Sequence, residues 1–417
     1  MVRGGEKMGS ASTRTDEESP RLSWGSELPM VGRRAELSAL RLALDDAIDG
    51  KGHTIFLSGE AGVGKSRLVS ALAKEAAGRE VMIAVGRASA VEATIPYGVI
   101  GDALIPALKS LDEPALALMS RGVTGDLRLI LPSLPDRRAA GEQVQLNDPD
   151  LKGRLLWNFA QFVRRLAGRA PILLVLENGQ WFDPSSTELI HFLARQIVDV
   201  PVTMIVTYSS DDVSEAAGVM SLEHSLSVLG EATVRRVLPL TLQDTTDLLQ
   251  RTFGLEGASS RRASEALHRR TMGNAFFLEE MLKSIVETGA LRQVEGRWVG
   301  GDMDSVSLPT TIRQALRVRI RALSEPAQRV ASTAAIVGTY APLTLLERVS
   351  GLESTSFLDA VELLCARRVL VEVQNGGEAT YEFSHPLLQA TVLADLSAPR
   401  VRALHIAVAD ALERYYG

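Results

Sequence analysis

The chain has 417 residues, enough for two to four domains at roughly 100–200 residues each. Its 46% apolar and 23% charged residues form an ordinary globular mix that can bury large cores. A net charge of −6 excludes a surface that binds nucleic acid throughout, leaving only a local basic patch open, and the single cysteine, Cys365, excludes an internal disulfide or a cysteine-cluster metal site.

Residues 1–28 are polar and rich in Ser, Gly and charge, with no apolar core of signal-peptide type, and read as a disordered leader. No apolar run approaches the roughly 20 residues that span a bilayer, so no membrane partner is expected. With its lone cysteine the chain fits a cytoplasmic, reducing location. "HTIFLSG" (53–59) predicts a buried strand, "KSRLVSALAKEAAG" (65–78) a helix and "VMIAVG" (81–86) a second strand. A helix over 96–111, a polar loop over 133–150 and an amphipathic helix over 151–168 follow. "PILLVLE" (171–177) predicts a strand. The helix after it, over 183–197, has Asp183 as N-cap and Pro184 at its first position. "VTMIVTY" (202–208) and "TVRRVLPL" (233–240) are further strands. Apolar strands alternating with helices imply an α/β fold, a parallel sheet with helices on both faces.

After Leu240 the pattern is helical, broken by a small hairpin at "LRQVEGRWVG" (291–300). A second helical set starts near residue 309. It encloses two short strands around an "NGG" turn (369–384), and helices beside one hairpin are the sign of a winged helix. A last helix runs from 399 to the end. The domain boundaries expected are 1–28, 29–240, 241–308, 309–396 and 397–417.

Gly59-Glu60-Ala61-Gly62-Val63-Gly64-Lys65-Ser66 fits G-x-x-x-x-G-K-[ST] at every fixed position, between a predicted strand and a predicted helix. Glycines let the backbone curl so that successive N–H groups face phosphate oxygens. The helix beginning near Lys65 adds its positive end. Lys65 offers charge to the β- and γ-phosphates, and Ser66 a hydroxyl to Mg2+. With Arg67 just beyond, this is the candidate nucleotide site of a P-loop NTPase. Such loops work with a second strand ending in two acids. Here that strand ends in Glu177, a carboxylate able to serve the metal with Ser66, and in Asn178, whose carboxamide can hydrogen-bond a water but cannot take its proton.

With the loop placed, other segments resemble one family. "LPMVGRRAEL" (28–37) resembles the "VGRExEL" entry of signal-transducing P-loop ATPases, the STAND class, typified by large ATP-binding LuxR-type regulators and related AAA-like modules. "ILLVLENGQWFDPSSTELI" resembles that family's "LLVLDDLQWADPSSLELL", and "VTMIVTYSSDD" its "LLLVGTYRPEE". "HRRTMGNAFFLEEMLKSIVETGAL" resembles its "TGGNPFFLEELLRALVEEGAL", and "YEFSHPLLQATVL" its "YRFRHALVREAVY". The resemblance spans nearly the whole chain from residue 29. It implies a nucleotide domain, a helical lid domain and a winged-helix domain that form an ADP-locked switch opened by ATP and an inducer. It also implies a role in regulating transcription. It places Val31, Gly32 and Arg33 near the adenine, and His385 on the nucleotide phosphates. Read from the residues alone, His385 is a structural histidine at a helix start, and both readings stand. A helical superhelix and an output domain generally follow such a segment in the family.

The chain departs from the family at Asn178, in place of the second acid, at Ser209, in place of a γ-phosphate-sensing arginine, and at Ala275, in place of a proline near the adenine. Together these imply slow or impaired ATP hydrolysis, with Glu177 and Asn178 as a degenerate catalytic pair. Three readings follow: an ATP/ADP- and Mg2+-dependent switch with a protein partner or self-association, a pseudo-ATPase scaffold holding structural nucleotide, and a DNA-binding initiator of AAA type. Arg313, Arg317 and Arg321 recur at helical spacing, with Arg319 nearby, and read as a solvated helix face rather than a DNA-facing stripe. The acidic balance disfavours direct DNA binding.

Overall fold

The computed structural model describes residues 28–416, apart from 110, 133, 135–150, 212, 256, 295–296, 301–308, 339 and 376–377. The expected leader, as far as residue 27, and most of the expected 133–150 loop lie outside the described residues. Leu28, by contrast, is buried.

The first part of the chain alternates strands and helices: α1 (Arg34–Ile48), β1 (His53–Gly59), α2 (Lys65–Ala76) and β2 (Met82–Arg87). Then come α3 (Gly98–Leu108), α4 (Glu113–Met119), α5 (Thr124–Leu127), α6 (Leu151–Ala167) and β3 (Ile172–Glu177). α7 (Pro184–Gln196), β4 (Val202–Ser209), α8 (Val213–Val228) and β5 (Thr233–Arg236) complete this part. The strands form one parallel sheet in the order β2-β3-β4-β1-β5. Successive side chains point to opposite faces. Leu173 and Val175 therefore join Ile55, Leu57 and Ile205 in a core under α1 and α2. Leu174 and Leu176 join Phe56, Met204 and Val206 in a core under α3, α6, α7 and α8. A sheet buried on both faces is what near-continuous apolar strands require.

The expected strand over 233–240 is shorter. It pairs with β1 only through Arg236, after which Val237 N–H still reaches Ser58 O at 2.8 Å. Pro239 has no N–H to offer a ladder, and β5 is an exposed edge strand, where such an ending is tolerated. α1, α4, α5 and α8 have no counterpart among the predicted elements. The apolar residues of α8 are spread around its circumference, so it carries little helical periodicity to read.

The helices α9 (Leu242–Phe253), α10 (Gly257–Thr271) and α11 (Ala275–Glu287) follow, then a hairpin of β6 (Leu291–Val294) and β7 (Arg297–Gly300). Next come α12 (Thr310–Arg321), α13 (Glu325–Val337), β8 (Ala341–Pro342), α14 (Leu343–Ser350) and α15 (Ser354–Ala366). β9 (Leu370–Asn375), β10 (Glu378–Phe383), α16 (Pro386–Asp395) and α17 (Ala398–Tyr416) end the chain. β9 and β10 pair antiparallel as expected, and β8 adds a third strand too short to read from sequence. Ile312 and Leu316 of α12 and Leu387 and Leu388 of α16 share a core with Leu248, Leu278 and Met281 from α9 and α11, and with Leu28 and Val31. The N-terminal segment is thus packed against helices more than 200 residues away in sequence. Among the described residues no helix is long and apolar enough to cross a membrane.

Two local devices fix the geometry. Asp183 caps α7: its carboxylate accepts from Ser186 N at 2.9 Å and from the Ser186 hydroxyl, and also from Tyr97 N at 3.2 Å. Gly273 has φ +74°, and a Cβ there would lie 1.9 Å from Leu240 O, so only glycine lets α10 turn into α11 beside the end of the sheet. Asp183→Ala should lower the stability of the full chain by about 1–2 kcal/mol in urea unfolding, and Asp183→Asn by clearly less. An alanine variant within about 0.3 kcal/mol of wild type would remove the cap from this account.

Candidate functional site

In an open parallel sheet, ligands lie beyond the C-terminal strand ends, where strand order reverses. Here β4 lies between β1 and β3, so the loop after β1, the end of β3 and the end of β4 meet. Gly59 pairs directly with Ser209, and Leu176 with Val206.

The loop from Gly59 to Ser66 has every carbonyl of its first five residues held. Gly59 O accepts from Lys65 Nζ at 2.7 Å and Ser210 N at 3.2 Å, and Glu60 O from Lys65 Nζ at 2.8 Å and Val63 N at 3.3 Å. Ala61 O accepts from Asn274 Nδ2 at 2.8 Å, Gly62 O from Phe276 N at 2.9 Å, and Val63 O from Arg33 Nη2 at 3.0 Å. By contrast, the N–H groups of Gly62, Gly64, Lys65 and Ser66 have no acceptor among the described residues. Carbonyls satisfied from outside and donors left open make a ready anion cradle. Gly62 has φ +76°, and a Cβ on it would lie 2.8 Å from Asn274 Oδ1 and 2.9 Å from the Phe276 Cβ. The loop can press against the start of α11 only without a side chain there.

Lys65 Nζ is bonded to loop carbonyls and flanked by the charges of Asp211, Glu60 and Glu177. Burial outweighs those charges and pushes its ammonium down to about 8 from the ordinary 10.5. Ser66 is exposed on the first turn of α2. Arg67 reaches Glu279 of α11 at 3.9 Å.

Val31 and Arg33 line a narrow crevice of about 40 Å³ together with Val63, Gly64, Leu240 and Ala275. The structure thus brings the expected base-proximal residues Val31 and Arg33, and Ala275, to the side of the phosphate loop. Arg33 is buried and does more than line it. It donates to Val63 O and, at 2.7 Å, to Leu238 O, tying the entry segment to the loop and to the chain after β5. Gly32 sits against the Asp244 carboxylate at the start of α9.

At the end of β3, Glu177 is buried and accepts from Arg87 Nε of β2 at 2.5 Å. One carboxylate oxygen is therefore engaged by an exposed guanidinium. Ser66 and Glu177, with phosphate oxygens and water, fit the sparse donor set that Mg2+ takes beside a nucleotide. Asn178 has φ 64° and ψ 47°, the left-handed region that asparagine tolerates better than most residues. Its Nδ2 donates to Ala88 O at 3.0 Å. The side chain at the second-acid position thus braces the segment after β2. Asparagine here is explained by backbone shape. Ser209 N donates to Gln180 Oε1 at 3.0 Å, and its hydroxymethyl side chain carries no charge.

His385, for which the resemblance implies a phosphate contact, turns both ring nitrogens to protein groups. His385 caps α16, with Nδ1 accepting from Leu387 N at 3.0 Å. Nε2 therefore carries the proton and donates to Thr271 O at 2.9 Å. Burial holds the ring below its usual pKa, and it packs edge-on against Phe277 with centroids 4.9 Å apart. Thr271 O also accepts from Asn274 N at 2.9 Å. The histidine thus meets the phosphate loop through Asn274, one residue removed. Asn274, Phe276, Gln180 and Asp211 are the residues sequence reading passed over. Asn274 and Phe276 lie in "GNAFF", Asp211 in "SSDD" and Gln180 in "ENGQW", stretches whose spacing says nothing of what these side chains and N–H groups contact.

Residues 29–206 match the family described as AAA ATPase domain. An uncharacterized protein of Rhizobium meliloti (strain 1021) is 23% identical over 410 residues, covering 90% of this chain and 36% of its own length. The chain therefore spans little more than a third of that relative. The Walker-type ATPase PABY2304 of Pyrococcus abyssi has a TM-score of 0.53 at 15% identity, over 87% of this chain and 96% of that one. The ORC1 protein of Aeropyrum pernix, solved in complex with DNA, has a TM-score of 0.46 at 18% identity, over 92% and 97%. At 15% identity the P. abyssi likeness speaks for the fold alone.

The lowered Lys65 value has a measurable consequence. Between about pH 8 and 10.5 the unfolded chain binds more of this proton than the folded one, so stability rises with pH across that window. In urea unfolding, wild type should gain on Lys65→Met as pH goes from 8 to 10. Parallel profiles for the two proteins would contradict a buried, strained ammonium. The parallel sheet and the loop are those of a P-loop ATPase-like fold, and residues 29–206 of it match the AAA ATPase domain family.

Proposed function

We propose that the chain is an ATP- and ADP-binding switch that hydrolyses ATP slowly and changes its domain arrangement with the nucleotide. The observation that carries this is the cradle. Its inward donors are open, while its carbonyls are held by Arg33 of the entry segment and by Asn274 and Phe276 at α11. A phosphate filling the cradle acts on the same loop that those segments hold, so occupancy is mechanically coupled to them. In this reading the nucleotide domain is residues 29–240, the helical lid 241–308, the winged helix 309–396, and the last helix 397–417. Residues Gly59 to Arg67 take the phosphates, Ser66 and Glu177 take Mg2+, and Val31, Gly32 and Arg33 border the base. The crevice at the loop itself, about 40 Å³, is too narrow for a base as it stands, while Val31, Gly32 and Arg33 also border a wider opening of about 670 Å³ with Asp244 and Asp247.

Slow hydrolysis follows from Asn178, which lacks a proton-accepting group and is spent on Ala88 O. Absence of a general base costs about 10²–10⁴-fold in rate. His385 reports on the loop through Thr271 and Asn274 rather than by touching phosphate. The setting we infer is regulation of transcription in the cytoplasm, with a protein partner or a second copy as the receiver. Direct DNA binding by this segment is disfavoured, since Arg317 Nε reaches Asp395 at 2.6 Å and Arg319 is turned into the molecule.

Nucleotide affinity and phosphate release for wild type, Lys65→Ala and Asn178→Asp test this reading. Loss of a charged hydrogen-bonding group should weaken ATP and ADP binding by about 10–100-fold in Lys65→Ala. Wild type should turn over well below about 1 per second, the low end of ordinary enzymes, and Asn178→Asp should turn over faster. Unchanged affinity in Lys65→Ala would sink nucleotide binding, and turnover above that bound would sink slow hydrolysis alone.

A further inference from the structure

One backbone donor of the phosphate loop is held by a side chain from outside the loop. Ala61 N donates to Asp211 Oδ2 at 3.0 Å, and Asp211 lies just past the end of β4. A carboxylate therefore sits on a backbone N–H of the anion cradle, close enough to Lys65 to act on its charge. The same oxygen is paired with Arg319 Nη1 of α12 at 3.5 Å. The Arg319 guanidinium is itself positioned from behind: Nη2 donates to Arg367 O at 2.7 Å and to Arg368 O at 3.2 Å, at the turn between α15 and β9. Arg367 in turn pairs with Glu215 of α8 at 2.9 Å. The side chains of Arg319 and Asp211 are 30% and 16% exposed, so this pair is sheltered at the seam between the sheet's end and the C-terminal helices.

This arrangement answers a problem left at Ser209. A triphosphate bound in the loop brings charge to the end of β4, and β4 supplies no cation there. Arg319 is a rigid, planar donor already aimed at an anion that rests on the loop. A nucleotide phosphate and the Asp211 carboxylate compete for the Ala61 N–H, and the winner also faces Arg319.

Resting on the nucleotide-binding reading above, we propose that Asp211 is a built-in stand-in for a nucleotide phosphate, and that Arg319 is the phosphate-binding cation of this site, supplied by the C-terminal segment. When the terminal phosphate of a nucleoside triphosphate displaces Asp211, Arg319 transfers from carboxylate to phosphate. A diphosphate, one phosphoryl group shorter, leaves the Asp211–Arg319 pair in place. Arg319 thereby distinguishes the two nucleotides, the task for which position 209 carries no charge.

The test is calorimetric titration of the full chain with Mg-ATP and Mg-ADP, for wild type, Asp211→Ala, Asp211→Asn, Arg319→Ala and Lys65→Ala, each checked for an unchanged melting transition. Removing the competing carboxylate should tighten ATP by about 10-fold or more in both Asp211 variants, since a charged hydrogen bond no longer has to be displaced. Arg319→Ala should weaken ATP by about 10-fold or more while ADP stays within about 3-fold. If Arg319→Ala does not fold, the two Asp211 variants decide. ATP affinity unchanged or weakened in both Asp211 variants overturns the proposal, as does equal weakening of ATP and ADP in a folded Arg319→Ala. Those results leave nucleotide binding intact provided Lys65→Ala still loses it. Loss of effect in Lys65→Ala is the separate failure of the underlying reading.

Discussion

A loop that presents backbone N–H groups to an anion must turn its carbonyls the other way, and those carbonyls need donors. Everything else in this structure is arranged around that requirement. Lys65 serves Gly59 and Glu60 from within the loop, while Arg33, Asn274 and Phe276 serve Val63, Ala61 and Gly62 from segments far apart in sequence. An unpaired buried peptide group costs of order 1–3 kcal/mol, so the loop's shape depends on the entry segment and α11 staying in place. The dependence runs both ways, because whatever alters the loop alters the hold of α11 on it.

The same economy accounts for several residues that the family pattern singles out. Asn178 sits in a left-handed conformation and braces Ala88 O, so the position serves the turn after β3. His385 spends one ring nitrogen on a helix cap and the other on Thr271 O, whose remaining partner is the Asn274 that grips Ala61. At Ser209 the missing cation is matched by Arg319, which arrives from α12 and meets the loop through Asp211. Positions that the family pattern singles out are here joined by short chains of hydrogen bonds. Such chains transmit position as well as charge.

Much of the site was legible because its rules are local. The phosphate loop has fixed spacing, and its strand and helix announce themselves by apolar period, so Gly59 to Ser66 could be placed without coordinates. Glu177 followed from the end of an apolar strand, and the Asp183 cap from Asp-Pro before a helix. What was not legible is pairwise and distant. Nothing in "SSDD" says that Asp211 rests on Ala61, and nothing in the arginine-rich run of α12 separates Arg319, turned inward, from Arg317, which meets Asp395 near the surface. The apolar residues of α8 trace no single stripe in the sequence, and the two residues of β8 carry no period.

By itself the sequence determined the α/β character of the first half, the phosphate loop, the buried carboxylate at the end of β3 and the absence of a second acid beside it. Each of these is written in adjacent residues, where spacing and apolar period are enough. Only the tertiary structure decided that β4 separates β1 from β3, that Arg33 and Asn274 hold the loop's carbonyls, that His385 faces Thr271, and that Asp211 and Arg319 meet at the cradle. Those contacts join residues 30 to more than 200 positions apart. They exist because several separate cores pack the segments into register, a result that no local pattern encodes.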